Sequence, residues 1–360
     1  MDAITFVDMS LNRFFLLGLI IVSLMWAGCN GSKTNLPESE AIPVTIKIAR
    51  FEKDFFAVDT AQIDAQLTKL AVRYPVFFPS FLNAIVGINP ADPQAAEAIK
   101  AFLKSYRPVY NSAQIRVEKA LPEMANQLKK ALQWLHYLVP AYQPDSPFVI
   151  TTFIGPMDAY ESFSIGDYGD VRTDNGVGVA LQFHLGADDP VYENGLSSGM
   201  LYQYQVRRFT PETMVVNAMK NIIEDLFPYT FAGKPLVEEM VEKGKRLYLL
   251  QKVLPDVDDS LLIGYTGTQL QGCKENEALI WQFFVKNELL FSIDPSFNQS
   301  YIKDGPKTPE LGENAPGNIG LFTGWQIVNT YMDQNEDMSI SDMMNLPATK
   351  IFQASGYKPK

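Results

Sequence analysis

The spacing of apolar residues divides the chain into a β-rich middle and helical flanks. Runs of β-branched and aromatic residues, bounded by turns rich in Gly and Asp, predict strands at 44–49, 147–154, 162–166 and 177–185. Apolar residues at helical spacing predict helices at 62–72, 81–88, 93–105, 121–139, 197–206, 211–226, 236–254, 269–290, 320–332 and 348–355. We find no repeat and no linker after residue 42. Residues 43–360 are therefore predicted to form a single α+β domain, mostly helical, in which the last three strands make a small antiparallel sheet.

Two short motifs predict how particular helices begin and pack. Thr266 and Gln269 have the spacing of a capping box at the start of the helix at 269–290. Gly324, which precedes Trp325, is predicted to let its helix pack closely against a neighbour, because glycine has no side chain to hold two backbones apart.

The most apolar run of the chain lies near its N-terminus and is typical of a secretory signal. It covers residues 14–26, which would rise only about 20 Å as a helix, short of the roughly 30 Å of a bilayer core. A positive residue precedes this run and small residues follow it, as in a signal peptide. Asp2 and Asp8 oppose the usual positive start, which favours Met9 over Met1 as the true initiation site.

The cysteine that ends this segment resembles the lipid-attachment site of a bacterial lipoprotein. Cys29 follows Ala27 and Gly28 directly, as in a lipobox. We therefore predict a lipoprotein signal peptide over 1–28, a diacylglycerol and acyl lipid on Cys29, and a flexible tether over 29–42. A simple secretory signal is the alternative. The predicted location is the cell envelope, with the chain anchored in the outer membrane and facing the periplasm.

Composition and charge exclude several classes of function. The chain has 41 acidic and 30 basic side chains and a net charge of −11, so it offers no basic surface to nucleic acid. It contains two histidines and two cysteines. With Cys29 acylated, Cys273 would have no disulfide partner, and we expect it to be a small buried side chain. His136 lies beside the apolar stripe of the helix at 121–139 and is expected to be structural.

Common catalytic signatures are absent from the sequence. There is no G-x-S-x-G nucleophile motif, no G-x-x-x-x-G-K-[ST] phosphate loop and no G-x-G-x-x-G dinucleotide motif. Asp256, Asp258 and Asp259 could collect calcium, but their loop lacks the EF-hand spacing and is interpreted as a solvated acidic loop. No catalytic residue and no cofactor are therefore predicted.

A degenerate zinc site is the nearest approach to catalytic chemistry in the sequence. Zinc peptidases need H-E-x-x-H on a helix after the sheet, and a further carboxylate downstream. Here Asn217 and Asn221 hold the two ligand positions, Ala218 replaces the general base, and Glu242 follows as the downstream carboxylate. Amides are poor zinc ligands and alanine accepts no proton, so no metal is predicted. The two asparagines are also explained as polar positions of an amphipathic helix.

Seven sequence blocks spread over nearly the whole chain are long enough to compare with known families. In chain order they are RFEKDFFAVD from Arg50, YPVFFPSFL from Tyr74, FHLGADDPVYENGL from Phe183, RRFTPE from Arg207, KPLVEEMVEKGKRLYLLQKVLPDVDDSLLIGYT from Lys234, ENEALIWQFFVKNELLFSID from Glu275, and IGLFTGWQIVNTYM from Ile319. Together they resemble the gliding motility lipoprotein GldB family of Bacteroidota. The resemblance implies a periplasm-facing lipoprotein needed for surface gliding. It also implies a fold distantly similar to zinc metallopeptidases, without their ligands and with no catalytic residue to carry over.

Three functional hypotheses follow from these observations. The first is a non-catalytic envelope lipoprotein that binds proteins of the gliding or type IX secretion machinery. The alternative is a metal-dependent hydrolase with a ligand set other than H-E-x-x-H, for example His184 with Asp188 or Glu242. A third hypothesis, a module that binds envelope glycan, rests only on the aromatic content.

Overall fold

A computed structural model describes residue 36 and residues 42–161, 169–231 and 233–360. Residues Leu36–Lys360 form one compact unit. The predicted signal peptide, Cys29, nearly all of the tether and the predicted strand at 162–166 lie outside the described residues. No helix in the described part of the chain is both long enough and apolar enough to cross a membrane.

The described residues are mostly helical, which confirms the predicted α+β class. The α-helices are α1 (Phe51–Phe56), α2 (Ile63–Arg73), α3 (Phe77–Ser80), α4 (Ala95–Ser105), α5 (Arg107–Arg116), α6 (Leu121–Leu138), α7 (Glu193–Ser198), α8 (Gln203–Val206), α9 (Thr213–Leu226), α10 (Leu236–Val253), α11 (Asp259–Ile263), α12 (Gly267–Glu275), α13 (Glu277–Lys286), α14 (Pro295–Ile302), α15 (Ile319–Asp333), α16 (Ile340–Asn345) and α17 (Ala348–Ser355). A π-helical segment covers Phe81–Val86, and 3₁₀ turns cover Thr60–Gln62, Met157–Glu161, Leu181–Phe183, Pro190–Tyr192, Leu289–Phe291 and Pro309–Leu311.

The sheet is mixed, and the predicted antiparallel arrangement is wrong. Its strands are β1 (Ile46–Arg50), β2 (Phe148–Phe153), β3 (Val171–Thr173) and β4 (Gly176–Ala180), in the order β1-β2-β4-β3. β1 pairs with β2 and β2 with β4 in parallel, and only β3 and β4 are antiparallel. Parallel neighbours need a long crossover, which α1 to α6 supply between β1 and β2. The burial of nearly every residue of β2 and β4 is typical of such parallel strands.

Some helix predictions are corrected at their boundaries. The predicted helix at 269–290 is two helices, because α12 ends at Glu275 and α13 begins at Glu277. The capping box of Thr266 and Gln269 is confirmed. α5 and α14 are among the helices that lie where the sequence pattern predicts none. The start of α14 has a recognisable sequence signal, because Asp294 directly precedes Pro295. The Asp294 carboxylate caps the helix by accepting the Ser296 backbone N–H.

The helices α10 and α15 cross with their backbones in direct contact. A β-carbon placed on Gly324 would lie 1.7 Å from the Met240 carbonyl oxygen, and one on Gly244 would lie 2.3 Å from the Gly324 carbonyl carbon. One turn earlier on α15, a β-carbon on Gly320 would lie 2.9 Å from the Tyr301 carbonyl oxygen. The predicted close packing at Gly324 is therefore confirmed. Only hydrogen fits at this crossing.

The face of the sheet that packs on α9 is covered over its central strands. Ile150 and Val177, which face that side, are completely buried. From the same side of β3, Arg172 donates to the Asp225 carboxylate of α9 at 3.3 Å. α9 also contacts α6 and α10, so it links the sheet to the helical part of the domain.

Substitution Gly324→Ala is expected to lower the free energy of unfolding by about 3 kcal/mol or more, because the added methyl forces α10 and α15 apart. Urea denaturation followed by circular dichroism measures the change. Gly272→Ala on α12 is the matched control, since a β-carbon there meets no atom within 4 Å. It should raise stability by about 0.5–1 kcal/mol. Equal stability of Gly324→Ala and the wild type would contradict the close crossing.

Candidate functional site

The two predicted ligand positions on α9 are buried amides. Asn217 and Asn221 are 9% and 8% exposed, and the Asn221 side-chain amide donates to the Asn217 backbone carbonyl at 3.1 Å. Between them Ala218 is completely buried. α9 packs against α10, which carries the third predicted position.

That third position, Glu242, forms two ion pairs inside the protein. Lys245 Nζ lies 2.8 Å from Glu242 Oε1, and Arg246 Nη1 lies 3.0 Å from Glu242 Oε2. All three side chains are buried. Each carboxylate oxygen of Glu242 therefore already has a cationic partner from its own helix.

This charged cluster extends to neighbouring elements. Arg246 Nε donates to the Glu224 carboxylate at the end of α9, at 3.1 Å, and its Nη2 donates to the Phe227 carbonyl. Lys245 Nζ donates to the Leu346 carbonyl, just before α17, at 2.9 Å. Burial lowers the pKa of Lys245, and the Glu242 carboxylate opposes this effect. The cluster thus joins α10 to α9 and to the C-terminal helices.

A second buried carboxylate on α10 has a neutral partner. Glu239 accepts a hydrogen bond from the Asn298 side-chain amide at 2.7 Å. Burial raises the pKa of Glu239, while this hydrogen bond and the attraction of Lys243 lower it. In the described part of the chain the buried Asn298 Oδ1 has no hydrogen-bond partner.

The alternative metal ligands do not come together. His184 is completely buried, and its Nε2 lies 3.3 Å from Asp170 Oδ2 while its Nδ1 lies 3.0 Å from Thr213 Oγ1. Asp188 is instead an exposed partner of Arg116 at 2.8 Å. Within the ranges that the structure describes, no three His, Cys, Asp or Glu side chains are grouped so that they could hold a metal ion.

Asp170 is a buried polar residue that the sequence did not point to. Besides facing His184, its carboxylate accepts the Ala180 backbone N–H at 2.7 Å. In the sequence it belongs to a turn rich in Gly and Asp, so no local pattern separates it from a solvated turn residue.

The remaining candidates of the sequence have structural surroundings. Burial raises the pKa of the Cys273 thiol to about 12, and the residue is buried as predicted. His136 Nδ1 lies 2.7 Å from the Tyr142 carbonyl in the segment that follows α6. Asp258 caps α11, and its hydrogen bonds with Ser260 lower the pKa of its carboxyl group.

A further ion-pair network joins β1 to α1 and to the turn that follows α5. The completely buried Glu52 accepts hydrogen bonds from Arg50 Nε at 2.7 Å and from the Thr152 hydroxyl. Arg50 also pairs with Glu118 at 2.7 Å. Although partial burial opposes it, hydrogen bonds from Arg50 and Lys53 lower the pKa of Glu118. The sequence block that begins at Arg50 is thus explained by packing and charge pairing.

Comparison with known proteins gives one family. A family model described as gliding motility protein GldB matches residues 32–359. No curated protein and no solved structure matches the chain.

Substitution Glu242→Ala is expected to lower the free energy of unfolding by about 3–5 kcal/mol, because it leaves Lys245 and Arg246 buried without their main counter-charge. Glu313→Ala is the control. Glu313 pairs with Lys307 at the surface, so its loss should cost less than about 1 kcal/mol. Equal losses in urea denaturation would show that the Glu242 cluster does not hold the helices together.

Substitution Glu239→Gln is expected to stabilise the protein at neutral pH. The pKa of Glu239 is raised in the folded state, so folding disfavours its ionised carboxylate. The ionised form therefore lowers the free energy of unfolding. This loss is absent below the unfolded pKa of about 4.3 and complete above the folded pKa. The gain of the variant over the wild type should therefore grow as pH rises from about 4. Urea denaturation at several pH values measures it, with the exposed Glu123→Gln as control. A gain that does not change with pH would contradict this assignment.

Proposed function

We propose that the chain, which belongs to the gliding motility protein GldB family, acts in gliding as a non-catalytic lipoprotein of the cell envelope. The match over residues 32–359 is the observation that carries this proposal. It extends over nearly all of the sequence that follows the predicted signal peptide, so the family assignment concerns the whole folded unit.

The state of the predicted metal-site positions supports a non-catalytic role. Two of the positions are amides, and the Glu242 carboxylate is bound by Lys245 and Arg246. To bind zinc, Glu242 would have to release two buried cations, and each would then lose its counter-charge in a low-dielectric interior. These side chains therefore stabilise the helical core and do not take part in a reaction.

The envelope location rests on the N-terminal sequence. A lipid on Cys29 would hold the chain at the outer membrane, with the residues after the tether facing the periplasm. Several acyl chains give stable anchoring, at about 0.8 kcal/mol for each buried CH₂. From this position the protein binds partners of the gliding or type IX secretion machinery.

Deletion of the gene in a gliding host is expected to abolish colony spreading, and the wild-type gene to restore it. The double variant Asn217→Ser/Asn221→Ser should restore spreading as well, because the proposed role needs no ligand at these positions. Cys29→Ser should fail to restore it and should lose incorporation of labelled palmitate. Immunoblots establish that each variant accumulates to the wild-type level.

Two results would overturn the proposal. Normal spreading of the deletion strain would remove the role in gliding. A double variant that accumulates normally but does not spread would give Asn217 and Asn221 a direct role, and the metal-dependent hydrolase would become the better hypothesis.

A further inference from the structure

The face of the sheet opposite α9 carries a cleft of about 640 Å³. One row of residues crosses its floor from strand to strand. The register aligns Lys47 on β1 with Val149 on β2, Gly176 on β4 and Thr173 on β3. Of these residues Lys47, Val149 and Thr173 line the cleft. Val149 and Thr173 have small side chains, so the floor is low beyond Lys47.

A second row, two residues further along the strands, has the same character. It consists of Ala49, Thr151, Gly178 and Val171. Parallel strands are normally covered on both faces by large apolar side chains. Here Ala49, Thr151 and Val171 line the cleft with small side chains, while Val171 and Phe153 cover Gly178. The segment from Arg73 to Phe77 forms a wall.

The floor is elongated across the strands. Four strands spaced about 4.8 Å apart extend over roughly 14 Å. An extended peptide advances about 3.3 Å per residue, so four or five residues cover this length. A cleft of this volume is also within the range of ligand sites, about 300–1,000 Å³.

Opposite charges stand at the two ends of this floor. Lys47 lies on the edge strand β1 and Asp174 lies in the turn that follows β3. Both are exposed, and neither forms an ion pair with any residue that the structure describes. By contrast Arg73, which also lines the cleft, is paired with Asp54 at 2.8 Å.

The floor also has an unused hydrogen-bonding group near its Asp174 end. Thr173 Oγ1 is buried, and no hydrogen-bond partner for it exists among the described residues. A hydroxyl can both donate and accept, so it can bind a backbone amide or carbonyl of a ligand in the cleft.

We propose that this cleft binds a short extended peptide of four or five residues, with its terminal carboxylate at Lys47 and its terminal ammonium at Asp174. Alternate side chains of an extended chain point to opposite sides. One set therefore packs on the low floor, which fits small aliphatic side chains, and the other set points to solvent. The inference goes beyond the role in gliding and does not depend on it.

Calorimetric titration of the full chain in lipid nanodiscs tests the proposal with one peptide in four forms. The probe is Ala-Val-Ala-Val-Ala with free ends, N-acetylated, C-amidated or blocked at both ends. The free peptide should bind most tightly, and each block should weaken binding about three- to fivefold, as expected for one exposed ion pair.

Two charge variants give the orientation of the bound peptide. Lys47→Met should remove the preference for the free carboxylate and keep that for the free amine, and Asp174→Asn should do the reverse. Ala49→Ile, which fills the floor, should weaken all four forms. Lys286→Met, an exposed lysine of α13 outside the cleft, should change nothing.

Three results would overturn the proposal. They are no binding of the free peptide at millimolar concentration, equal affinity for the free and the doubly blocked form, or the two preferences exchanged between the variants. Thermal unfolding of each variant shows whether it is folded. Because the assay measures peptide binding and not spreading, its failure leaves the role in gliding untouched.

Discussion

The backbone contact between α10 and α15 at Gly244 and Gly324 is the constraint on which the arrangement of the helices depends. Two helices normally lie 8–10 Å apart, and side chains fill the space between them. Here a single β-carbon would be 1.7 Å from the facing carbonyl oxygen. Most of α10 is buried, and its buried side chains include Glu239, Glu242, Lys245 and Arg246. Such a helix can be accommodated only if every charge finds a partner inside the protein.

The charge pairs of α10 follow from this burial, and they bear on function. The spacing from Asn221 predicts Glu242 as the third ligand of a degenerate zinc site, but its carboxylate pairs with Lys245 and Arg246. The same cations donate to carbonyl groups before α17 and after α9. A cluster of this kind gives the helices their relative positions. Together with membership of the GldB family, it supports the proposed non-catalytic role, and none of its residues lines the proposed peptide cleft.

Sequence patterns recovered the elements whose signals are local. The 3.6-residue period located α10 and α15, and the capping box located the start of α12. Strand direction was not recoverable, because an apolar run such as that of β2 is compatible with either direction until its neighbours are known. The pair of His184 and Asp170 was missed for a similar reason, since nothing near Asp170 marks it as buried. Spacing from Asn221 singles out Glu242, and Lys245 and Arg246 at i+3 and i+4 are the local signal that its carboxylate pairs within its own helix. The cleft depends on the register of four strands and has no signal in any one of them.

The metal content of the natively purified protein tests the central claim most directly, namely that Glu242 and its neighbours on α9 and α10 hold helices and not a metal. The measurement is inductively coupled plasma mass spectrometry of the wild type and of Glu242→Gln, both prepared without chelator. We predict far less than one zinc or other transition-metal ion per chain in both. One ion per chain in the wild type that is lost in Glu242→Gln would contradict the account.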